Sequence, residues 1–361
     1  MSPLVLSAWS AVSPYGVGSA PFRAGINAGD SAVAPLDREA HPGPFESGGL
    51  VPDFTAARYV GKKGTRTMDR VTAIAVTTVG RLLADCDDEL TAHPEQLALV
   101  LGTGSGSVQS IMDFTKDSLE GERPYHVDPS RFPNTVMNRA AGQSAIWHGI
   151  KGPNTTVAGG ALTGLLALSY ALRLHKGGHC TRVLCGAAEE YSTQRAWLEW
   201  HGRGEEERST PLGEGSAVFL LESAEDARGA GREPLAAVLA TRFRAYHDRE
   251  DAREALAVCV GEALKASGLG AQDVTLVSPL GAGGRLAELE EAALTDVLGP
   301  DGPRRVRLGP LLGDTSAAAG SLQVAAVLAT AGEKGLAPGE AALITGIERD
   351  GTVGCAVLGG N

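Results

Sequence analysis

The sequence predicts an α/β protein made of two similar halves, layered so that helices are buried between sheets. Three observations predict this. Short apolar, β-prone runs alternate with longer apolar, helix-forming runs along the whole chain. The order of these runs in the first half recurs in the second. The stretch Lys151 to Leu168, KGPNTTVAGGALTGLLAL, breaks a β-branched run at Gly159-Gly160 and continues as a helix, which reads as a strand, a tight elbow and a buried helix.

Pro3 to Val12 is β-prone and stops at Ser13-Pro14-Tyr15-Gly16, so it is the expected first strand rather than a leader peptide. The segment from there to Phe54 is rich in Gly and Pro and has no period from which an element could be read. Val71 to Leu83 reads as an apolar helix, preceded by the densest basic cluster of the chain, Arg58, Lys62, Lys63, Arg66 and Arg70. That cluster is either a solvated loop or a contact for an acidic protein or a phosphate. Leu97 to Leu101 is a buried strand leading into GTGSGS and a helix from Val108 to Leu119. Its glycines lack the dinucleotide-binding spacing, so no nucleotide cofactor is expected. Phe132-Pro133-Asn134-Thr135 precedes a helical run from Val136 to His148 and then the elbow. Arg182 to Cys185 is the next strand, the segment from Ser192 to Ser209 reads as polar, and Ala217 to Leu221 closes the first set.

The second set repeats the first. Leu235 to Leu239 matches the opening strand, and Val274 to Val277 with Gly281 to Gly284 matches Leu97 to Gly106. Ala317 to Leu328 matches Ala161 to Leu172, Ala342 to Gly346 matches Val183 to Ala187, and Gly354 to Leu358 matches Ala217 to Leu221. The expected division is residues 1–225 and 226–361.

A strand–elbow–helix aims one side chain at a helix N-terminus, where backbone N–H groups and the positive dipole end stabilise an anionic nucleophile or an oxyanion. Here that residue is Ala161, whose methyl group cannot attack anything. The other constellations are weaker. His175, His179 and Cys180 suggest a metal site only until Gly177-Gly178 is seen to break the helix that such spacing needs, so no metal is expected. Glu189 and Glu190 are adjacent and point to opposite faces of a strand, which excludes paired acid/base work. A net charge of −11 argues against nucleic acid as a partner, and no apolar run is long enough to span a bilayer. Five cysteines without a paired framework suit free thiols in a cytoplasmic protein.

Several motifs together resemble the β-ketoacyl synthases of the thiolase fold. They are VSPYGVG at Val12, MDR at Met68, LVLGTGSG at Leu99, FPNT at Phe132, GPNTTV at Gly152, GEG at Gly213 and LLGDTSAAAGSLQ at Leu311. In that family the elbow holds a cysteine that takes up an acyl chain, and two histidines and a lysine in the second half drive malonyl decarboxylation and condensation. The resemblance puts these at Ala161, Leu280, Asp314 and near Gly309. The family's gating loop falls on Gly346 to Gly351, here GIERDG. The last histidine of the chain is His247, so the second half has none for that chemistry. Asp314 reads either as a residual polar group or as the N-cap of the helix after it.

Within the family, chain length factors of type II polyketide synthases keep the fold, lack the elbow nucleophile and pair with an active ketosynthase. The Gly159-Gly160 doublet and the short connection between Tyr191 and Pro211 are similar to that subgroup. The resemblance implies a dimer interface at Phe132 and at Thr155, Thr156, Val157 and Ala158. It implies a tunnel for the partner's growing acyl chain lined from this subunit by Val108, Ile111, Met112, Thr115 and Met137. It also implies a contact for the acidic acyl carrier protein at Lys62, Lys63, Arg66 and Arg70. The aliphatic tunnel face points to a linear reduced or polyene polyketide, with an aromatic one as the alternative. Two other readings stay open: a stand-alone decarboxylase or acyltransferase of divergent chemistry, and a homodimeric acyl-binding protein.

Overall fold

The computed structural model describes residues 2–86 and 89–360. Its first half contains strands β1 (Leu4–Ser13), β2 (Leu97–Gly102), β3 (Asn154–Val157), β4 (Arg182–Glu189) and β5 (Gly215–Ser223), and its second half β6 (Ala236–Ala245), β7 (Val274–Pro279), β8 (Arg304–Arg305), β9 (Ala341–Glu348) and β10 (Thr352–Gly359). The hydrogen-bonded order is β3-β2-β4-β5-β1 in the first half and β8-β7-β9-β10-β6 in the second. Counting each half's strands from its own start, both orders are the same. Pair by pair the directions agree as well: β1–β5 and β5–β4 are antiparallel, β4–β2 and β2–β3 parallel, and β6–β10, β10–β9, β9–β7 and β7–β8 repeat that sequence. The fold is thiolase-like. The two half-sheets are not separate, as layering alone would suggest. A short antiparallel contact, Val5 opposite Ala237 and Leu6 opposite Ala236, joins β1 to β6 and makes one continuous sheet.

The helices, in chain order, are α1 (Ser19–Ala28), α2 (Arg70–Ala84), α3 (Val108–Glu120), α4 (Arg139–His148), α5 (Thr163–Lys176), α6 (Thr193–Gly202), α7 (Ala252–Ser267), α8 (Gly284–Leu298) and α9 (Ala319–Ala331), with shorter turns between them. Alternation along each strand divides the core into layers. Val100 of β2, Ile344 of β9 and Leu358 of β10 face a central cluster with Leu165 and Leu168 of α5 and Leu322 and Val327 of α9. Leu99 and Leu101 face the opposite way, onto Ile74, Val79 and Leu82 of α2. Leu343 and Val357 likewise face away from the centre, onto Leu256, Val260, Leu286 and Leu289 of α7 and α8. The result is α2 and α4, half-sheet, α5 and α9, half-sheet, α7 and α8. Helix α9 is buried over most of its length because it is apolar all round, as expected for the middle layer.

The two central helices cross where the chain is smallest. A Cβ added at Gly164 would lie 2.2 Å from the Ser321 backbone nitrogen, and one at Gly320 would lie 3.0 Å from the Leu165 nitrogen. These glycines occupy matching positions, three residues after Ala161 and after Ala317.

Three sequence expectations need correction. The segment before Phe54 contains α1, whose buried Phe22 and Ile26 make one apolar stripe. Helix α4 begins at Arg139, because Val136 follows a tight turn spanning Pro129–Thr135. The polar segment after Ser192 is helix α6, capped by the Ser192 hydroxyl, which accepts from the Arg195 N–H at 3.2 Å. Its buried residues are only Arg195 and Ala196, which is why its period does not read as apolar. Among the described residues no helix is long and apolar enough to cross a membrane.

Candidate functional site

The elbow forms as the sequence suggests. Gly160 has φ +55°, a left-handed conformation that glycine adopts without strain. The Thr163 hydroxyl accepts from the Gly159 N–H at 2.9 Å and donates to the Gly160 carbonyl at 2.6 Å, fixing the turn that leads into α5. Ala161 stands at the tip and lines a cavity of about 600 Å³.

Leu280, Gly309 and Asp314 line the same cavity. The four positions where the resemblance places a nucleophile, two histidines and a lysine therefore converge in space, though they come from separate elements in both halves. Leu280 follows β7, and its N–H donates to the buried Glu290 carboxylate at 3.1 Å, as does the N–H of Gly281 at 2.8 Å. The Thr345 hydroxyl completes that carboxylate's shell at 2.7 Å. Burial pushes the Glu290 carboxyl above the usual range, opposed by these three donors. The Gln323 side-chain amide donates to the carbonyls of Ser278 and Thr345 at 2.8 and 2.9 Å, tying β7 to β9 behind the site.

Asp314 is not the N-cap of the helix after it, since Thr315 holds that position for the turn Ser316–Ala318 and Ala318 holds it for α9. Its Oδ1 accepts from the Ser316 N–H two residues on at 2.7 Å, an Asx turn, and its Oδ2 pairs with Arg203 at 2.5 Å. Arg203 comes from the end of α6 and is almost fully buried. It also meets Glu199 at 3.1 Å and the Thr210 carbonyl at 2.9 Å. Arg349 joins the network through Glu199 at 3.1 Å and Glu207 at 3.7 Å. Burial alone would raise the Glu199 carboxyl, but Arg195, Arg203 and Arg349 hold it below the usual range. Glu348, the last residue of β9, turns its carboxylate to the elbow, where Oε2 accepts from the Ala161 N–H and Oε1 accepts from the Arg349 N–H at 2.9 Å. Burial pushes the Glu348 carboxyl up, against the pull of those two N–H donors.

Sequence reasoning missed Glu199, Arg203, Glu290 and Glu348. Only Glu348 left a trace, as the charged residue where the apolar run of β9 ends at GIERDG.

The remaining candidates lie elsewhere. Val108, Ile111, Met112, Thr115 and Met137 do not line the elbow cavity. Val108 is buried, Ile111 half-buried, and Met112, Thr115 and Met137 are exposed. They come close together, since a Cβ at Gly106, just before α3, would lie 3.2 Å from the Met137 Cα. Phe132 is exposed, with its ring 6.1 Å from that of Phe114 on α3. Thr155, Thr156 and Val157 are half-buried on β3, which ends the sheet, and Ala158 is exposed just beyond it. Lys62, Arg66 and Arg70 line a concavity of about 500 Å³, with Lys63 exposed beside it. Arg70 is not a free surface cation, because Glu214 binds it through two contacts, one of them Nε to Oε2 at 2.6 Å. Glu189 and Glu190 diverge as expected: the Glu190 carboxylate accepts from the Val71 N–H at 3.1 Å and the Ser107 hydroxyl at 3.1 Å, while that of Glu189 lies on the side of Gly104.

The family described as "Beta-ketoacyl synthase, N-terminal domain" matches residues 1–227. The "Putative polyketide beta-ketoacyl synthase 2" of Streptomyces halstedii is 30% identical over 90% of this chain and 84% of its own length. The "Tetracenomycin polyketide synthase ketoacyl synthase alpha subunit" of Streptomyces glaucescens is 28% identical over 90% of this chain and 84% of its own. Among solved structures, "The ishigamide ketosynthase/chain length factor" matches with a TM-score of 0.90 and 40% identity, covering 99% of both chains.

Proposed function

The chain belongs to the β-ketoacyl synthase family, and we propose that within it this protein is a chain length factor, the non-catalytic partner of an active ketosynthase in type II polyketide biosynthesis. One observation carries the reading: Ala161, Leu280, Gly309 and Asp314 meet in one cavity, and among the described residues no thiol or imidazole lines it to do the family's chemistry. The lining is also acidic, with Glu199, Glu207, Asp314, Glu348 and Asp350 against Arg203 and Arg349. Such a surface repels a malonyl carboxylate. These features weigh against a stand-alone decarboxylase or acyltransferase.

In this reading the outward face at α3 and Met137 meets the partner. The open edge of β3, Thr155 to Ala158, pairs with the corresponding strand of the ketosynthase, and Phe132 packs beside it. The acyl chain growing on the partner's cysteine reaches Val108, Ile111, Met112, Thr115 and Met137 and stops there. The aliphatic character of that face suits a linear reduced or polyene chain. Lys62, Lys63 and Arg66 steer the acidic acyl carrier protein, while Arg70 holds the concavity in shape through Glu214.

Co-expression with a type II polyketide ketosynthase from the same organism, followed by size exclusion with mass detection, tests the reading. A one-to-one heterodimer is the expected result. A homodimer that ignores the ketosynthase would overturn it in favour of an acyl-binding protein.

A further inference from the structure

We propose that Glu348 is an internal lock on the elbow: its carboxylate occupies the N–H of residue 161 and the space over Gly160, so the elbow would resist acylation even with a cysteine at position 161. The inference concerns only the elbow and stands whether or not the chain length reading holds.

The geometry is specific to this pair. Glu348 is 187 residues from Ala161 in sequence, and its carboxylate accepts from the Ala161 N–H. A Cβ at Gly160 would lie 2.2 Å from Glu348 Oε2, so the carboxylate rests directly on the elbow backbone. Its position is set from behind, because the Tyr246 hydroxyl donates to the Glu348 carbonyl and the Arg349 N–H donates to its Oε1. The side chain is 9% exposed.

An elbow works by leaving its helix N-terminus free. The dipole and unpaired N–H groups lower the pKa of a thiol placed there, and the N–H of the nucleophile's own residue helps hold the oxyanion. Here a carboxylate has taken that N–H and supplies the negative charge that the dipole would otherwise give to a thiolate. A second anion beside it is disfavoured. The other charged groups around Glu348 are Arg349 and Asp350 on its own turn and Glu199, Arg203, Glu207 and Asp314 around the cavity. The absence of a nucleophile at Ala161 and the Glu348 carboxylate on the elbow are thus two separate blocks.

The test places a thiol in the elbow of the full-length chain. Ala161→Cys, Ala161→Cys/Glu348→Gln and Ala161→Cys/Glu348→Ala are labelled with iodoacetamide across pH 6 to 10, and the extent is read by mass spectrometry on the tryptic peptide containing residue 161. The thiolate sulfur displaces iodide and the thiol proton goes to solvent, so the rate reports the thiolate fraction and access. We expect labelling at pH 7 at least ~10-fold faster with Glu348→Ala than in the single variant, since one unit of thiol pKa changes the thiolate fraction about tenfold. The Gln variant, which keeps the bulk and removes the charge, lowers the pH midpoint while remaining slower than the Ala variant. Equal rates and equal midpoints in all three overturn the proposal. Hydrogen exchange checks the same contact without a new thiol. In Glu348→Ala the Ala161 amide should exchange at least ~10-fold faster while α5 beyond Leu165 keeps its protection, and an unchanged Ala161 amide also overturns the proposal.

Discussion

Gly164→Ala should destabilise the protein although alanine is the better helix former. In an open helix the exchange gains about 0.5–1 kcal/mol, because glycine loses more backbone entropy on folding. At Gly164 the new methyl carbon would sit 2.2 Å from the Ser321 nitrogen and 2.8 Å from the Gly320 carbonyl carbon. Both are backbone atoms of α9 and cannot rotate away, so the central helices must separate. Overpacking of this kind costs about 1–3 kcal/mol, leaving a net loss of up to about 2.5 kcal/mol after the propensity gain. Gly261→Ala is the matched control: Gly261 also lies in a helix, α7, and a Cβ there meets nothing within 4 Å. Guanidinium unfolding of both variants beside the unchanged chain measures the difference. The reasoning predicts a lower midpoint for Gly164→Ala and a higher one for Gly261→Ala. If Gly164→Ala were as benign as the control, the close helix crossing would be refuted.

Three further outcomes follow from the site and its surroundings. Arg203→Ala removes the ion pair of the Asp314 carboxylate and one of the two that Glu199 makes, leaving Glu199 with Arg349, and should cost about 3–5 kcal/mol in thermal unfolding, a loss that Arg203→Met/Asp314→Asn should partly restore; no loss in the single variant contradicts the network. Burial, with Asp69 and Glu189 nearby, pushes the Glu190 carboxyl up to about 8. The folded state therefore binds a proton that the unfolded chain has released between about pH 4.5 and 8, and this contribution to stability is lost as pH rises through that window. Glu190→Gln should accordingly gain stability relative to the unchanged chain between pH 5 and 8, and a constant difference across the range would contradict the assignment. Ile111→Trp, adding bulk on the half-buried face of α3, should shorten the polyketide made by the heterodimer, and a product of unchanged length removes α3 from the tunnel.

The duplicated framework was legible because the central strands β2, β4, β5, β7, β9 and β10 and the two central helices carry apolar runs, and the same order occurs twice. The elbow was legible because Gly159-Gly160 interrupts such a run. Helix α1 was hidden by Pro21 and Gly25 within SAPFRAGINA, which leave only Phe22 and Ile26 to mark its inner stripe. Helix α6 was hidden for a different reason: it turns Arg195 inward, and Arg195, Arg203 and Glu199 together face buried carboxylates and carbonyls. An apolar period cannot report a helix that buries one arginine beside one alanine. For the site, the lost positions could be read one at a time from motifs, but what replaced them could not. Glu348 and Arg203 reach the cavity only through tertiary folding, and nothing in their local sequence names Ala161 or Asp314 as the partner.

The central claim is that this chain shapes a reaction without performing it. The most direct measurement is a malonyl-carrier elongation assay of the purified chain alone, a type II polyketide ketosynthase from the same organism alone, and the two together. The account predicts no decarboxylation or elongation by this chain alone and full-length product only from the pair. Turnover of malonyl-carrier by this chain alone would contradict it, and would require a carboxylate or hydroxyl of the cavity at Ala161 to act in place of the thiol and imidazoles.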